Sequence, residues 1–395
     1  YIFKSLQNFC IYSIINKKKG EYMIYFDNAA TTMPNKEVLD VYQKVAKTIW
    51  YNPSGMYKES VLAKNYIDKA KSTILKTLNI NNKEIIFTSG ATEANNTAIF
   101  SVCNKYIGMN KHIITTSIEH ASVYNCFKYL ERMGFRVTYL KCNGGIVDLE
   151  EVKNALTKDT ILVSIMWVNN IIGSIQPIEE INSIVKKYSH AKLHVDAVQG
   201  IGKIPFDFDP NKVDYLSLTL HKIEGLKGTG LLFIPNNVQI EPYIKGGHQQ
   251  NNMRAGTMDV AGAVAASKAI SIAYQNLKSH YNYVQELANY LLGKINKLSF
   301  ITINRDKGSY SPFVISFSFN NLKGETAMHY LEKANICVGI GSACNEKTQT
   351  LERAIMVLTD DEKRAINMIR ISLSHLNTKE EIDILIEKLK ELERI

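Results

Sequence analysis

The sequence has no CxxC pair and no cluster of cysteine and histidine at zinc-ligand spacing, so no metal site is expected. Its six cysteines, Cys10, Cys103, Cys126, Cys142, Cys337 and Cys344, are scattered along 395 residues. That excludes a disulfide scaffold and makes a reducing cytoplasm the expected location. No apolar run is long enough to span a bilayer, so no membrane partner is expected. Internal repeats and low-complexity segments are absent too. The formal charge is +9, but the lysines are spread along helical stretches rather than gathered on one aromatic-bearing face. Direct nucleic-acid binding is therefore not expected, whereas an acidic protein partner could use the charge.

What is present is ordinary for a globular chain: 45% hydrophobic and 22% charged residues, with length enough for two closely packed domains. Residues 1–22 stand apart. They do not begin with Met, and they hold Lys4, Lys17, Lys18 and Lys19 against Glu21, a net +3 of the total. The lysine triplet follows the apolar stretch, the reverse of a secretory signal, and there is no Arg as in a transit peptide. The segment is expected to be a non-native or disordered extension, with the native start at Met23.

From Pro34 to about Ile272, apolar strand patterns alternate with helical ones. Glu84–Thr88, His112–Thr116, Arg136–Leu140, Thr160–Met166 and Lys192–Asp196 read as strands, and Ile178–Tyr188 as a helix. The alternation predicts an α/β fold with a mostly parallel, helix-flanked sheet. Val260–Leu298 reads as nearly continuous helix. Beyond it Phe313–Phe319, Met368–Leu373 and the amphipathic Thr378–Ile395 predict a small α+β domain. The expected division is an N-terminal segment 23–36 packed on the small domain, a large domain 37–273, and a small domain 274–395. Ligands of such sheets sit at the carboxyl ends of strands, and the polar residues below follow those ends.

Thr219-Leu-His-Lys222 precedes a glycine-rich turn, Gly225-Leu-Lys-Gly-Thr-Gly230. A partly desolvated Lys there suits a Schiff base. It also reads as a solvated Lys before a hairpin. His194-Val-Asp196-Ala-Val-Gln199 ends a strand with a carboxylate able to pair with a pyridinium nitrogen, Gln199 being able to donate to a ring hydroxyl. A helix cap is the plainer reading of Asp196. Thr88-Ser-Gly-Ala-Thr-Glu93 lies at a strand-to-helix turn, where free N–H groups form an anion site or Ser89 or Thr92 simply caps a helix. His120 ends the next strand and reads equally as a ring-stacking or proton-relaying residue and as a structural one. Cys344, in Gly339-Ile-Gly-Ser-Ala-Cys344, sits in an exposed-looking Gly/Ser loop, the setting of a thiolate nucleophile, whereas Cys337 reads as core. Arg370 inside the strand Ile369-Arg-Ile-Ser372 needs a partner, either a substrate carboxylate or an internal salt bridge.

Taken together, these motifs resemble those of the fold-type I pyridoxal-phosphate enzymes, within them the class V aminotransferase superfamily, and most closely the NifS/IscS-type cysteine desulfurases. Tyr25-Phe-Asp-Asn-Ala-Ala-Thr-Thr32, Val168-Asn-Asn170, Gly246-Gly-His-Gln249 and Arg254-Ala-Gly-Thr257 add to the resemblance, which covers Met23 to Ile395. It implies an aspartate-aminotransferase-like fold and pyridoxal 5'-phosphate as cofactor. Lys222 would carry the cofactor. Ala91, Thr92, Thr219, Leu220 and His221 would line its phosphate side, Asp196 and Gln199 its ring nitrogen and hydroxyl, and His120 its ring face. Asn170 would lie between cofactor and substrate, Arg370 would bind the substrate carboxylate, and Cys344 would accept sulfur from L-cysteine. Thr257 would reach the cofactor of a second subunit, which implies a homodimer. The persulfide would pass to a sulfur-acceptor protein for iron–sulfur clusters or tRNA thiolation. The chain departs from the family at Leu226, where Pro is usual, at Tyr57 and Ser60, and at Asn345–Thr350, which are polar and charged rather than small. A selenocysteine lyase or related aminotransferase, and an inactive sulfur-transfer scaffold, are the alternatives.

Overall fold

Short β-branched and apolar runs bounded by turn residues form the strands of this protein. The computed structural model describes residues 23–341 and 352–393. The expected extension 1–22 and Cys344 with its polar followers lie outside them. The strands are β1 (Ile24–Tyr25), β2 (Lys83–Thr88), β3 (His112–Thr116), β4 (Arg136–Leu140), β5 (Thr160–Met166), β6 (Lys192–Asp196), β7 (Tyr215–Thr219), β8 (Gly230–Pro235), β9 (Ile301–Ile303), β10 (Val314–Phe319), β11 (Ile336–Cys337) and β12 (Met368–Ser372). The helices are α1 (Lys36–Thr48), α2 (Lys58–Thr77), α3 (Ala91–Cys103), α4 (Ala121–Arg132), α5 (Leu149–Ala155), α6 (Ile178–Tyr188), α7 (Val260–Gln275), α8 (Leu277–Ile295), α9 (Gly324–Lys333), α10 (Arg353–Thr359), α11 (Glu362–Ile366) and α12 (Lys379–Leu392).

Seven strands form one sheet in the order β2-β8-β7-β6-β5-β3-β4. The run from β7 to β4 is parallel, while β8 is antiparallel to both its neighbours. The sheet is thus mostly parallel, with helices on its faces. Every residue of β3 and β7 is buried, as strands covered on both faces require. A smaller antiparallel sheet, ordered β12-β10-β9, lies beyond α8. The N-terminal segment joins it: β1 pairs with β11, and Asp27 bridges to Ser372.

Two expectations change. The long helix expected over Val260–Leu298 is two helices, broken at Asn276 (φ −106°, ψ 4°), whose side-chain amide donates to the carbonyl of Ile272 at 3.0 Å. A short amide that bonds its own backbone competes with helix propagation. Cys337 is not core but half-buried, on the edge pairing of β11 with β1. Of the departures from the family that fall on described residues, Tyr57 is the N-cap of α2 without a side-chain cap, Ser60 is buried behind it, and Leu226, in the connection between β7 and β8, packs on the core. Among the described residues no helix is long and apolar enough to cross a membrane, and no group of three or more His, Cys, Asp or Glu is placed to hold a metal.

Trp167, the residue after β5, anchors the core beneath the sheet's carboxyl edge. Its ring is fully buried, stacked on Phe206 at 5.1 Å, with Phe208 edge-on at the same distance. Gly200 packs flat on that ring: a Cβ there would lie 2.0 Å from it. Gly200→Ala is therefore expected to lower stability by about 1–3 kcal/mol, the usual cost of overpacking, read as the shift of the urea denaturation midpoint.

Candidate active site

The carboxyl ends of β3, β5, β6 and β7 gather most of the residues singled out from the sequence. Lys222 closes a single 3-10 turn, Leu220–Lys222, directly after β7. The turn leads into the antiparallel β8, so the hairpin reading was right about the connection. The Lys, however, is not a solvated one: it is half-buried, and its Nζ donates to the carbonyls of Ala29 and Ala30 at 2.5 Å each. The turn is clamped by the N-terminal segment. Thr32 donates its N–H and its hydroxyl to the carbonyl of His221, at 2.8 and 2.9 Å, and its oxygen accepts the N–H of Glu224 at 2.8 Å. Leu220 is fully buried behind this turn.

Asp196 ends β6. Its Oδ1 accepts the N–H of Val198 at 3.1 Å, which closes a local turn; no helix starts there, so the helix-cap reading of Asp196 does not hold. Its Oδ2 does more: it accepts from the amide of Asn95 in α3 at 2.8 Å. Asn95 also donates to the hydroxyl of Ser122 at 2.8 Å, and Ser122 meets Nδ1 of His120 at 2.8 Å. A buried chain therefore runs Asp196–Asn95–Ser122–His120. Sequence reasoning missed Asn95 and Ser122, which lie two residues beyond Glu93 and His120, because neither bears a conspicuous group.

His120 is the N-cap of α4: its Nδ1 accepts the N–H of Ser122 at 3.2 Å. A ring nitrogen that accepts a backbone N–H carries no proton, so the neutral ring holds its hydrogen on Nε2. Burial lowers the pKa, with Lys222 and Arg353 adding to it and Asp196 opposing. His221, whose Nδ1 lies 3.1 Å from the Thr31 hydroxyl, is pushed down to about 4 by burial and then by Lys222, Lys227 and Lys203. Gln199 donates to the carbonyl of Ala29 at 3.0 Å.

At the end of β2, α3 starts without a side-chain cap, so neither Ser89 nor Thr92 takes the capping role. Its first-turn N–H groups, those of Ala91 and Thr92 among them, are left for an anion. Glu93 steadies this turn by accepting the N–H of Ser89 at 2.8 Å, and Arg254 pairs with it at 2.9 Å. The turn lies flat against β8: a Cβ on Gly230 would come within 2.5 Å of the Gly90 carbonyl carbon and 2.7 Å of the Thr88 hydroxyl. Thr219, buried, lies on the same side, 4.0 Å from where a Cβ of Gly90 would sit, its hydroxyl donating to the carbonyl of Thr229.

Arg370 makes the internal salt bridge: Nη2 lies 2.7 Å from Asp27, and Nη1 donates to the carbonyl of Asn170 at 2.9 Å. Yet among the described residues its Nε is buried without a partner, which leaves one donor for a carboxylate. Asn170 is half-buried beside it. Thr257 is exposed on the segment leading into α7.

Glu119, the neighbour of His120, was not singled out. Its Oε1 accepts from Thr116 at 2.7 Å and from the N–H of Met166 at 2.9 Å, and Oε2 has no partner among the described residues. Burial pushes its carboxyl up to about 8 against those hydrogen bonds. Arg353, at the start of α10, donates to the Glu119 carbonyl at 2.8 Å and stacks over Tyr124 at 3.7 Å.

A model of the aminotransferase class-V family matches residues 24–385. The chain is similar to a protein named cysteine desulfurase IscS from Dictyoglomus turgidum, 37% identical over 371 residues, which cover 93% of this chain and 94% of that one. A solved NifS-like protein shares the fold at a TM-score of 0.87 and 36% identity, covering 94% of this chain and 99% of its own. A structure described as SspA in complex with cysteine matches at a TM-score of 0.78 and 30% identity, over 90% of this chain and all of that one.

Glu119 gives a pH test of this geometry. Its folded-state pKa lies above the ordinary carboxyl value of 4.5, so between 4.5 and about 8 the folded protein holds a proton that the unfolded chain has released. Its contribution to stability therefore falls as pH rises through that window. In Glu119→Gln the urea midpoint should decline less from pH 5 to 8 than in the wild type; parallel declines would contradict the burial of a protonated acid.

Proposed function

Because the chain belongs to the aminotransferase class-V family, we propose that it acts as a cysteine desulfurase, taking sulfur from L-cysteine onto Cys344 and releasing L-alanine. The observation that carries this reading is the convergence of Lys222, Asp196 and His120 at adjoining strand ends, with Arg370 nearby offering a buried, unpartnered Nε. The residues present fit pyridoxal 5'-phosphate. An uncapped helix start against β8, with Thr219 and His221 beside it, suits a phosphate ester. Asp196, its Oδ2 held by Asn95, suits a pyridinium nitrogen. Lys222 suits an aldehyde.

When bound, the cofactor supplies an electrophilic aldehyde for amines and a cationic ring that accepts the electrons left at an amino acid's α-carbon. The chain's own residues supply the rest. Arg370 binds the substrate carboxylate, with Asn170 beside it. Asp196 keeps the proton on the ring nitrogen. Lys222 takes the α-proton at Nζ and returns it, a role for which its nitrogen has to be unprotonated. His120, neutral and bearing its hydrogen on Nε2, covers the ring face and relays a proton on the substrate side. The Cys344 thiolate takes the sulfur as the bond from sulfur to the β-carbon breaks, which leaves a persulfide on the protein.

Thr257, exposed on its own subunit, would complete the phosphate site of a second copy, making the working unit a homodimer. The persulfide would pass to an acceptor protein of iron–sulfur cluster assembly or tRNA thiolation in the cytoplasm. The large sheet, residues 37–273, would hold the cofactor, and residues 274–395 would carry Arg370 and the Cys344 loop.

The test is an absorbance spectrum of the purified protein with added cofactor, followed by alanine and sulfide release from L-cysteine with dithiothreitol. The wild type is expected to bind with a visible absorbance band and to turn over. Lys222→Ala should lose that band and on the order of a hundredfold or more in rate. Cys344→Ala should keep the band and lose turnover. Full alanine release from selenocysteine by Cys344→Ala would move the protein to the lyases, and no band in the wild type would leave a scaffold.

A further inference from the structure

Lys203 lies four residues beyond Gln199 and is only 6% exposed. Its Nζ donates to Oε1 of Gln199 at 2.7 Å. The other end of that amide, Nε2, donates to the carbonyl of Ala29, and the same carbonyl receives Nζ of Lys222. One amide and one carbonyl therefore link the two amines. Both also line a cavity of about 250 Å³ between α7, α8 and the small sheet.

Among the described residues, the titratable groups around them leave Lys203 without a counter-ion. The cavity's carboxylates are engaged elsewhere: Glu224 with His375 at 3.3 Å and Asn35 at 3.4 Å, and Glu37 with Lys268 at 2.6 Å. His280 stacks on His375 at 3.7 Å, and burial lowers the pKa of both rings, as it does for His120 and His221. The charges that act on Lys203 are those of Lys222 and then Arg370, both positive.

We propose that Lys203 is a positioning residue for the amine of Lys222: it fixes the Gln199 amide with its oxygen toward Lys203 and its N–H toward Ala29, and while it holds its own proton it disfavours a second positive charge on the Lys222 nitrogen. The proposal rests on the pyridoxal-phosphate reading of Lys222. An amine attacks a carbonyl only when unprotonated, and a neighbouring cation is one of the ways a protein keeps it so. Burial, with Lys222 and Arg370 adding, pushes Lys203 itself down to about 7. The two nitrogens therefore compete for protons as a pair near neutrality.

The experiment compares the wild type, Lys203→Met and Lys203→Arg, each loaded with pyridoxal phosphate, by the pH dependence of the Lys222-linked absorbance band. The midpoint should rise by about one pH unit in Lys203→Met, which lacks the charge, and stay at or below the wild-type value in Lys203→Arg. Midpoints that agree within about 0.2 unit in all three overturn the proposal while leaving the cofactor reading intact. No band in the wild type overturns both. A cofactor-free readout accompanies it. The unfolded chain holds a proton on Lys203 up to about 10.5 that the buried amine has lost above about 7, so wild-type stability gains from this group as pH rises from 7 to 9. That gain should be missing in Lys203→Met; an equal gain counts against a buried, uncompensated amine. If Lys203→Met does not fold, Lys203→Gln takes its place as the uncharged variant.

Discussion

A guanidinium in the middle of a fully buried strand costs several kcal/mol unless strong partners surround it. Arg370 imposes that condition on the molecule. Its two contacts come from opposite ends of the fold: Asp27 from the N-terminal segment and the carbonyl of Asn170 from the loop after β5. Asn28 and Ala29 then bond to Ser372, two residues along β12. The next two carbonyls, of Ala29 and Ala30, receive Lys222. Satisfying one buried cation thereby brings the Lys222 amine and the Arg370 guanidinium onto the same four-residue stretch.

The site's electrostatics follow from burial as much as from pairing. His120 and His221 are both held below their ordinary pKa by desolvation with Lys222 nearby, and Glu119 is held above its own. Near neutrality these groups carry no charge. The field at the strand ends is left to Asp196 on one side and, on the other, to Arg370 and the proton for which Lys222 and Lys203 compete, in a low-dielectric setting where such charges act strongly. The neutral groups still matter, because their hydrogen bonds fix which atom carries each proton.

Much of the site was legible because its residues are chemically conspicuous at strand ends. Lys222, Asp196, His120, Gln199 and Arg370 all carry groups that ask for a reason. The residues that hold them were not legible. Asn95 and Ser122 look like ordinary helix residues until α3 and α4 are packed side by side. Asp27 becomes the partner of Arg370 only once β1 reaches the small sheet. Lys203, between Gly202 and Ile204, looks like a solvated turn lysine, and nothing local shows that Gln199 would be its partner. In the fold, the parallel run from β7 to β4 follows from apolar strands alternating with helices, but the reversal at β8 is a property of pairing between β2 and β7. The break at Asn276 was visible in principle as a capping-type residue, and the strength of the flanking helical pattern concealed it.

The joining of β1 to β11 and of Asp27 to Arg370, positions 343 apart in sequence, also sets an order of events during synthesis. The strands that seat Lys222, Asp196 and His120 are complete once β8 has left the ribosome. The contacts that clamp the Lys222 turn join residues 29–32 to residues 221–224 and can form once β8 is made, whereas the partners of β1 and Asp27 come only with β11 and β12, which a chain growing at about 5–20 residues per second adds many seconds later. A nascent chain thus carries a nearly formed large sheet before Arg370 has been made, and its N-terminal segment is tied to the small sheet only when β12 has been added.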